Sequence, residues 1–189
     1  KIKDKKIIAD ILKEFKNYSE EITIQRDKSL NKWILIDLYF SNMFGYGESN
    51  YIDFTRFYDN SLIGILAPNS YGKSTIIDII LFILFGKFSR NSGLGISKDI
   101  INVNENTFEC RLKFKIGNDT YVIEKKGRIE KSGKIKITEE EFFRIDGSEK
   151  KILTDESRIK TDKIISDYIG SIDEFVFTNI QLQNRERSF

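Results

Sequence analysis

The decapeptide LAPNSYGKST, residues 66–75, holds the residues whose types and order are suited to chemistry. Its end, Gly72-Lys73-Ser74-Thr75, fits the close of the phosphate-binding pattern G-x-x-x-x-G-K-[ST]. In that pattern glycine lets backbone N–H groups turn inward around phosphates, and lysine reaches the outer phosphates. The hydroxyl that follows ligates Mg²⁺, and the partial positive charge of a helix N-terminus adds to the attraction. Two positions depart from it. Ala67 stands where the first glycine would be, and Ser70 where many such loops carry another. Alanine still takes a β or right-handed conformation, whereas φ > 0 at Ser70 would cost on the order of 1 kcal/mol. A bare G-K-S-T run more commonly caps a helix, so the elements around it decide.

Those elements have the arrangement a phosphate cradle requires. SLIGILA (61–67) is short and almost wholly apolar, the pattern of a strand buried on both faces. It runs directly into the loop, and STIIDIILFILFGK predicts a buried helix opening at Lys73 and stopping near Gly86. Strand, loop and helix together make residues 67–75 a nucleotide site. Elsewhere, Ile7, Ile8, Ile11, Leu12 and Phe15 lie at helical spacing among charges. KWILIDLYF and SNYIDFTRF predict two strands around the Gly-rich turn MFGYGE, and SKDII one helical turn. TFECRLKFKI and TYVIEKKG flank the hairpin tripeptide GND. KIKITEEEFFRI adds a strand, DGSEKK a turn, and ESRIKTDKIISDYIG a helix stopped by Gly170; the remainder is part helix, part loop. The order predicts an α/β lobe with a mixed, nucleotide-binding sheet beside an antiparallel one.

Composition narrows the chemistry. The 189 residues carry a formal net charge of +2, so any basic surface must be local. With no histidine, His-based triads, general bases and zinc sites are excluded. A single cysteine, Cys110, favours a reducing compartment, cytoplasm or nucleus. The most apolar run, IIDIILFILF, is too short to cross a hydrocarbon layer of roughly 30 Å, so no membrane partner is expected. The chain begins with Lys and shows no signal-peptide pattern, which reads as a piece of a longer protein.

SNMFGYGESNYIDF, LIGILAPNSYGKSTIIDIILFILFGKFSR and DIINVNENTFECRLKFKIGNDTYVIEKKG, with the spacing between them, resemble the N-terminal lobe of SMC-type ATPases. The likeness is strongest to the SbcC and Rad-fifty DNA-repair branch and its phage and large-DNA-virus relatives. It runs from about Trp33 to the end, leaving residues 1–32 as a helical or linker segment outside it. The resemblance implies the fold of a P-loop NTPase, an ABC-type ATPase head, with ATP and Mg²⁺ as cofactors. It implies that Lys73 holds the outer phosphates, Ser74 the Mg²⁺, and the stretch Asn69, Ser70, Tyr71, Gly72 and Thr75 the phosphate oxygens. The turn Asn42–Tyr46, including Phe44, and the segment Lys98–Ile101, including Asp99 and Ile100, fall where family members approach base and sugar. FTNIQLQ resembles the Q-loop, whose glutamine meets Mg²⁺ and the attacking water; Gln183 is the choice and Gln181 the rival.

An acidic strand end to complete ATP hydrolysis and an S-G-G signature are absent from the sequence. The resemblance explains this: a coiled coil follows the Q-loop, and a C-terminal lobe of the same ATPase brings those motifs back. This chain alone is then expected to bind nucleotide weakly and turn over little or none. Further implied partners are a second head as a homodimer, double-stranded DNA and a nuclease. EKKGRIEKSGKIK (124–136) gathers Lys125, Lys126, Arg128, Lys131, Lys134 and Lys136 on one hairpin. Such a cluster suits duplex phosphates or, equally, a solvated edge, and the resemblance favours DNA. Two alternatives remain: a self-contained small P-loop NTPase, for which no N-K-x-D motif is present, and a non-catalytic DNA-binding scaffold.

Overall fold

A computed structural model describes residues 33–57, 64–69, 71–88, 98–155 and 157–180. The helix expected in residues 1–22, residues 61–63 of the strand before the loop, and the glutamines Gln181 and Gln183 lie outside them. The described strands are β1 (Trp33–Ser41), β2 (Asn50–Asp53), β3 (Thr107–Ile116), β4 (Asp119–Ile129), β5 (Ile135–Asp146) and β6 (Glu149–Ile152). The helices are α1 (Thr75–Phe85), α2 (Arg158–Ile169) and α3 (Ile172–Asn179), with single 3-10 turns at Phe54–Phe57 and Lys98–Ile100.

The strands form one antiparallel sheet in the order β2-β1-β3-β4-β5-β6. Alternation sets its faces. In β3, Phe108, Cys110, Leu112 and Phe114 are buried, while Glu109, Arg111 and Lys113 between them are half-exposed. Two-residue loops fix the register on either side of β4 and β5. Gly117 (φ 60°) joins Ile116 to Asp119, and Gly147 (φ 59°) joins Asp146 to Glu149. Each puts a left-handed glycine first in the loop, which matches the twist of the flanking strands. The second loop uses only Gly147 and Ser148, so the end of DGSEKK, expected as turn, pairs with β5 as β6.

Helix α1 packs against β3, β4 and α2, and eight of its eleven residues are buried. Burying each Ile, Leu or Phe contributes about 1.5–3 kcal/mol, so this helix anchors the core. Its Phe82 ring meets Phe108 edge-on at 5.7 Å, and Phe85 meets Phe175 of α3 at 5.3 Å. Gly86 stops it in the left-handed conformation (φ 65°), donating its N–H to the Phe82 carbonyl, as the sequence predicts. The start falls two residues later than expected. Gly72 sits at φ 80°, outside the helical region, and Thr75 N–H closes a tight turn onto the Gly72 carbonyl at 3.0 Å.

The strand expected over 61–67 is not formed by its described residues. Gly64–Ala67 carry no strand pairing, and Leu66 is 96% exposed. A strand buried on both faces needs neighbours to share its backbone hydrogen bonds, and the six described strands pair with one another instead.

Candidate nucleotide site and basic hairpin

The loop between Ala67 and Thr75 is closed by its own lysine. Lys73 Nζ donates to the Ala67 carbonyl at 2.7 Å and the Pro68 carbonyl at 2.8 Å. An ammonium has three donors, so two hold the loop in a ring and the third remains. The hydroxyl of Ser74 does not cap the helix behind it, although Ser74 occupies the N-cap position. Among the described residues, the N–H groups of Gly72, Lys73 and Ser74 have no hydrogen-bond partner. These N–H groups at a helix N-terminus, one ammonium and one hydroxyl that does not cap the helix form a donor set suited to an anion with a bound cation. The residues present therefore fit a nucleotide phosphate with Mg²⁺.

Other expected residues are placed as follows. Asn69 and Tyr71 are exposed, Tyr71 at 70%. Thr75 is buried beneath the loop. Ser70 lies outside the described residues. The turn after β1 and the segment around the Lys98–Ile100 turn are brought together by three bonds. Phe44 N–H donates to the Ile100 carbonyl at 2.8 Å, and Asn102 N–H to the Asn42 carbonyl at 2.9 Å. Asn102 Nδ2 donates to the Tyr46 carbonyl at 3.1 Å. Asn42 and Phe44 both adopt positive φ, 58° and 52°, which this tight reversal imposes. Phe44 packs edge-on against Phe88 at 5.3 Å, and Asp99 is exposed beside the turn. Ile100 corrects one expectation: its side chain is wholly buried in the core, so it presents no side-chain atom to a ligand. Tyr46 and Asn102 carry no motif signature, and contacts 26 and 56 residues apart leave no spacing to read.

The basic hairpin divides in two. Lys125 is 1% exposed; it faces the helices, with Nζ 2.6 Å from Glu140 Oε1 and 3.9 Å from Asp162 Oδ1. That corrects its assignment to DNA, because a buried, paired ammonium cannot meet a phosphate backbone. The β4 pleat explains it: Ile123, Lys125 and Gly127 point inward and Lys126 and Arg128 outward. Lys126 pairs with Glu139 at 2.7 Å, and Lys136 lies 3.8 Å from Glu130. Arg128, Lys131 and Lys134 are exposed and make no ion pair among the described residues.

With this geometry in place, comparison with known proteins is decisive. The model of an AAA domain (AAA_23) matches residues 37–189, most of the chain. This chain belongs to the AAA domain family. It is similar to uncharacterized protein R555 of Acanthamoeba polyphaga mimivirus, at 36% identity over 98% of this chain and 14% of that protein. It is also similar to the SbcC component of the SbcCD nuclease of Clostridium acetobutylicum, at 27% identity over 73% of this chain and 12% of that one. The DNA double-strand break repair Rad50 ATPase of Sulfolobus acidocaldarius is 36% identical over 39% of this chain and 8% of its own length. The chain thus spans less than a sixth of the curated relatives it matches. As an AAA domain chain it is an N-terminal ATPase-head lobe of the SMC, SbcC and Rad50 kind, and its α/β architecture is that of a P-loop ATPase lobe. Among the described residues, no helix is long and apolar enough to cross a membrane.

Proposed function

We propose that residues 33–189 are the ATP-binding half of an ATPase head acting in DNA double-strand-break repair, recombination or DNA organisation. One observation carries this reading: the Gly72–Ser74 amides, the Lys73 ammonium and the Ser74 hydroxyl lie together on the loop that leads into the buried helix α1. Lys73 would exchange its two loop carbonyls for outer phosphate oxygens, and the N–H groups of Gly72, Lys73 and Ser74 would take the remaining phosphate contacts. Ser74 would hold Mg²⁺, which supplies charge neutralisation for the phosphates when bound. Asn42, Phe44 and Asp99 would approach base and sugar, and Gln183 (or Gln181) would orient the attacking water.

Hydrolysis needs an acidic metal ligand and a signature motif, which a C-terminal lobe would add; alone, residues 1–189 would bind nucleotide and turn over little. The exposure of Ile65 and Leu66, at 52% and 96%, supports a covering lobe beside the loop. Two such heads would dimerise in the ATP-bound state on double-stranded DNA, with a nuclease as a further partner. Arg128, Lys131 and Lys134 are the cations best placed to contribute salt-dependent, sequence-independent affinity. A DNA-repair role and the lone, buried Cys110 support a location in cytoplasm or nucleus. Residues 1–32 form a separate linker segment in this reading.

The test is a titration of the chain with ATP, with and without Mg²⁺, beside Lys73→Ala. Binding by the wild type, strengthened by Mg²⁺ and lost in Lys73→Ala, is expected. Equal affinity of the two proteins would remove the nucleotide reading and leave the DNA-binding scaffold.

A further inference from the structure

We infer that Tyr46 is a positioning residue for the phosphate loop, fixing the direction of the Lys73 amide through the Gly72 carbonyl. The inference rests on the nucleotide reading above and adds to it a residue with no motif of its own. Tyr46 Oη donates to the Gly72 carbonyl at 3.1 Å, and Thr75 N–H donates to the same oxygen at 3.0 Å. A trans peptide is planar, so its carbonyl and the following N–H point in opposite directions. Anchoring the Gly72 oxygen with two donors therefore holds the Lys73 N–H pointing the opposite way within that plane. That N–H has no partner among the described residues.

Tyr46 is itself held at every other point. Its N–H donates to the Met43 carbonyl at 2.9 Å, and its carbonyl accepts from Asn102 Nδ2 at 3.1 Å. The Asn102 amide is oriented in turn, because its Oδ1 accepts the Asn104 N–H at 3.0 Å. The Tyr46 ring packs edge-on against Phe40, with centroids 5.0 Å apart. Burial pushes its hydroxyl above the ordinary tyrosine value, so it stays protonated and donates at neutral pH. The ring also explains the glycine. A Cβ on Gly72 would lie 3.1–3.2 Å from Tyr46 Cε2, Cζ and Oη, and φ of 80° disfavours any side chain there. Tyr46 thus links the Asn102 segment and the turn after β1 to the loop, and pre-sets one amide before any phosphate arrives.

The experiment compares wild type, Tyr46→Phe and Lys73→Ala by Mg²⁺-ATP titration, and wild type with Tyr46→Phe by hydrogen exchange of the residue 72–75 amides without nucleotide. Tyr46→Phe keeps the ring on Phe40, so its thermal midpoint should stay within about 2 °C. Its affinity should fall about two- to tenfold, the share of one neutral hydrogen bond, and exchange at Thr75, whose N–H shares the Gly72 carbonyl, should speed up by a similar factor. Asn102→Ala should shift both in the same direction. Where Lys73→Ala loses binding, wild-type affinity in Tyr46→Phe would overturn the inference whether or not exchange changes. If wild type and Lys73→Ala bind ATP equally or not at all, the nucleotide reading falls. The exchange comparison then decides the anchoring: unchanged exchange in Tyr46→Phe overturns it, and faster exchange upholds it as a property of the loop.

Discussion

Lys125 Nζ lies 2.6 Å from Glu140 Oε1 with both side chains out of water, 5.8 Å from the centroid of the Phe82 ring in α1. Two neighbouring strands of the sheet thus place opposite charges under α1, the helix that follows the Gly72–Ser74 loop. Taking either charge from water costs several kcal/mol, and their attraction offsets this only while both are present. Lys125→Ala should therefore cost about 3–5 kcal/mol of unfolding free energy. Lys125→Met combined with Glu140→Leu should recover most of that loss. Urea unfolding of the three proteins measures it, and a double variant as unstable as the single one would show that the pair is not the cause.

Gly127 follows Lys125 on the inner face of β4. A Cβ there would sit 2.4 Å from Phe108 Cε1, 2.8 Å from its Cζ and 3.0 Å from the Lys136 carbonyl. Phe108 is itself fixed against Phe82. Gly127→Ala should destabilise by about 1–3 kcal/mol through overpacking, and Gly127→Ala with Phe108→Leu should lose less than the two changes summed. Thermal melts of the three variants test this. Additive losses would argue against the contact.

Burial pushes the Cys110 thiol from 9.0 up to about 12, with the Lys125 charge opposing the shift. The folded value is the raised one, so the associated stability is fully present below pH 9 and is lost as pH rises toward 12. At pH 10 the loss from this group should be on the order of 1 kcal/mol relative to pH 8. Burial raises the Tyr121 and Tyr46 hydroxyls as well, which steepens the decline. Urea midpoints at pH 8 and pH 10 should differ less in Cys110→Ala than in the wild type. In the folded protein the thiol should also resist disulfide reagents at neutral pH.

Helix α3 opens with a capping box. Ser171 Oγ accepts the Glu174 N–H at 3.3 Å, and Glu174 Oε2 accepts the Ser171 N–H at 2.9 Å. That backbone bond, followed by the Ser171 hydroxyl, holds the Glu174 carboxyl below its usual range. Ser171→Ala should cost about 1 kcal/mol and raise the Glu174 pKa toward its ordinary value, which a carboxyl NMR titration reads directly. Phe175 in the same helix packs against Trp33 with ring centroids 4.9 Å apart and planes tilted by 44°, so the loss should register in the fluorescence melt of that tryptophan.

Period and turn chemistry were enough to read most elements. Alternation in β3 and the glycines at 86, 117 and 170 state where strands and helices run, because each such position has one local solution. Residues 64–67 misled for a physical reason. Their apolar run says that they avoid water, but not which partner covers them. Lys125 misled because a lysine in a basic run has the composition of a surface residue, and only pairing with Glu140 and Asp162 makes its burial tolerable.

By itself the sequence determined the loop chemistry: the order Gly72-Lys73-Ser74 at the head of an apolar helix depends on adjacency along the chain. It also determined the alternating face of β3 and the family. Tertiary structure decided what holds that loop. Tyr46 reaches Gly72 across 26 residues and Asn102 reaches Tyr46 across 56, and such contacts exist only once the turn after β1 packs beside the start of α1. Which of the basic residues face solvent was decided there too, since a pleat hides every second side chain and its phase is set by the strand alongside.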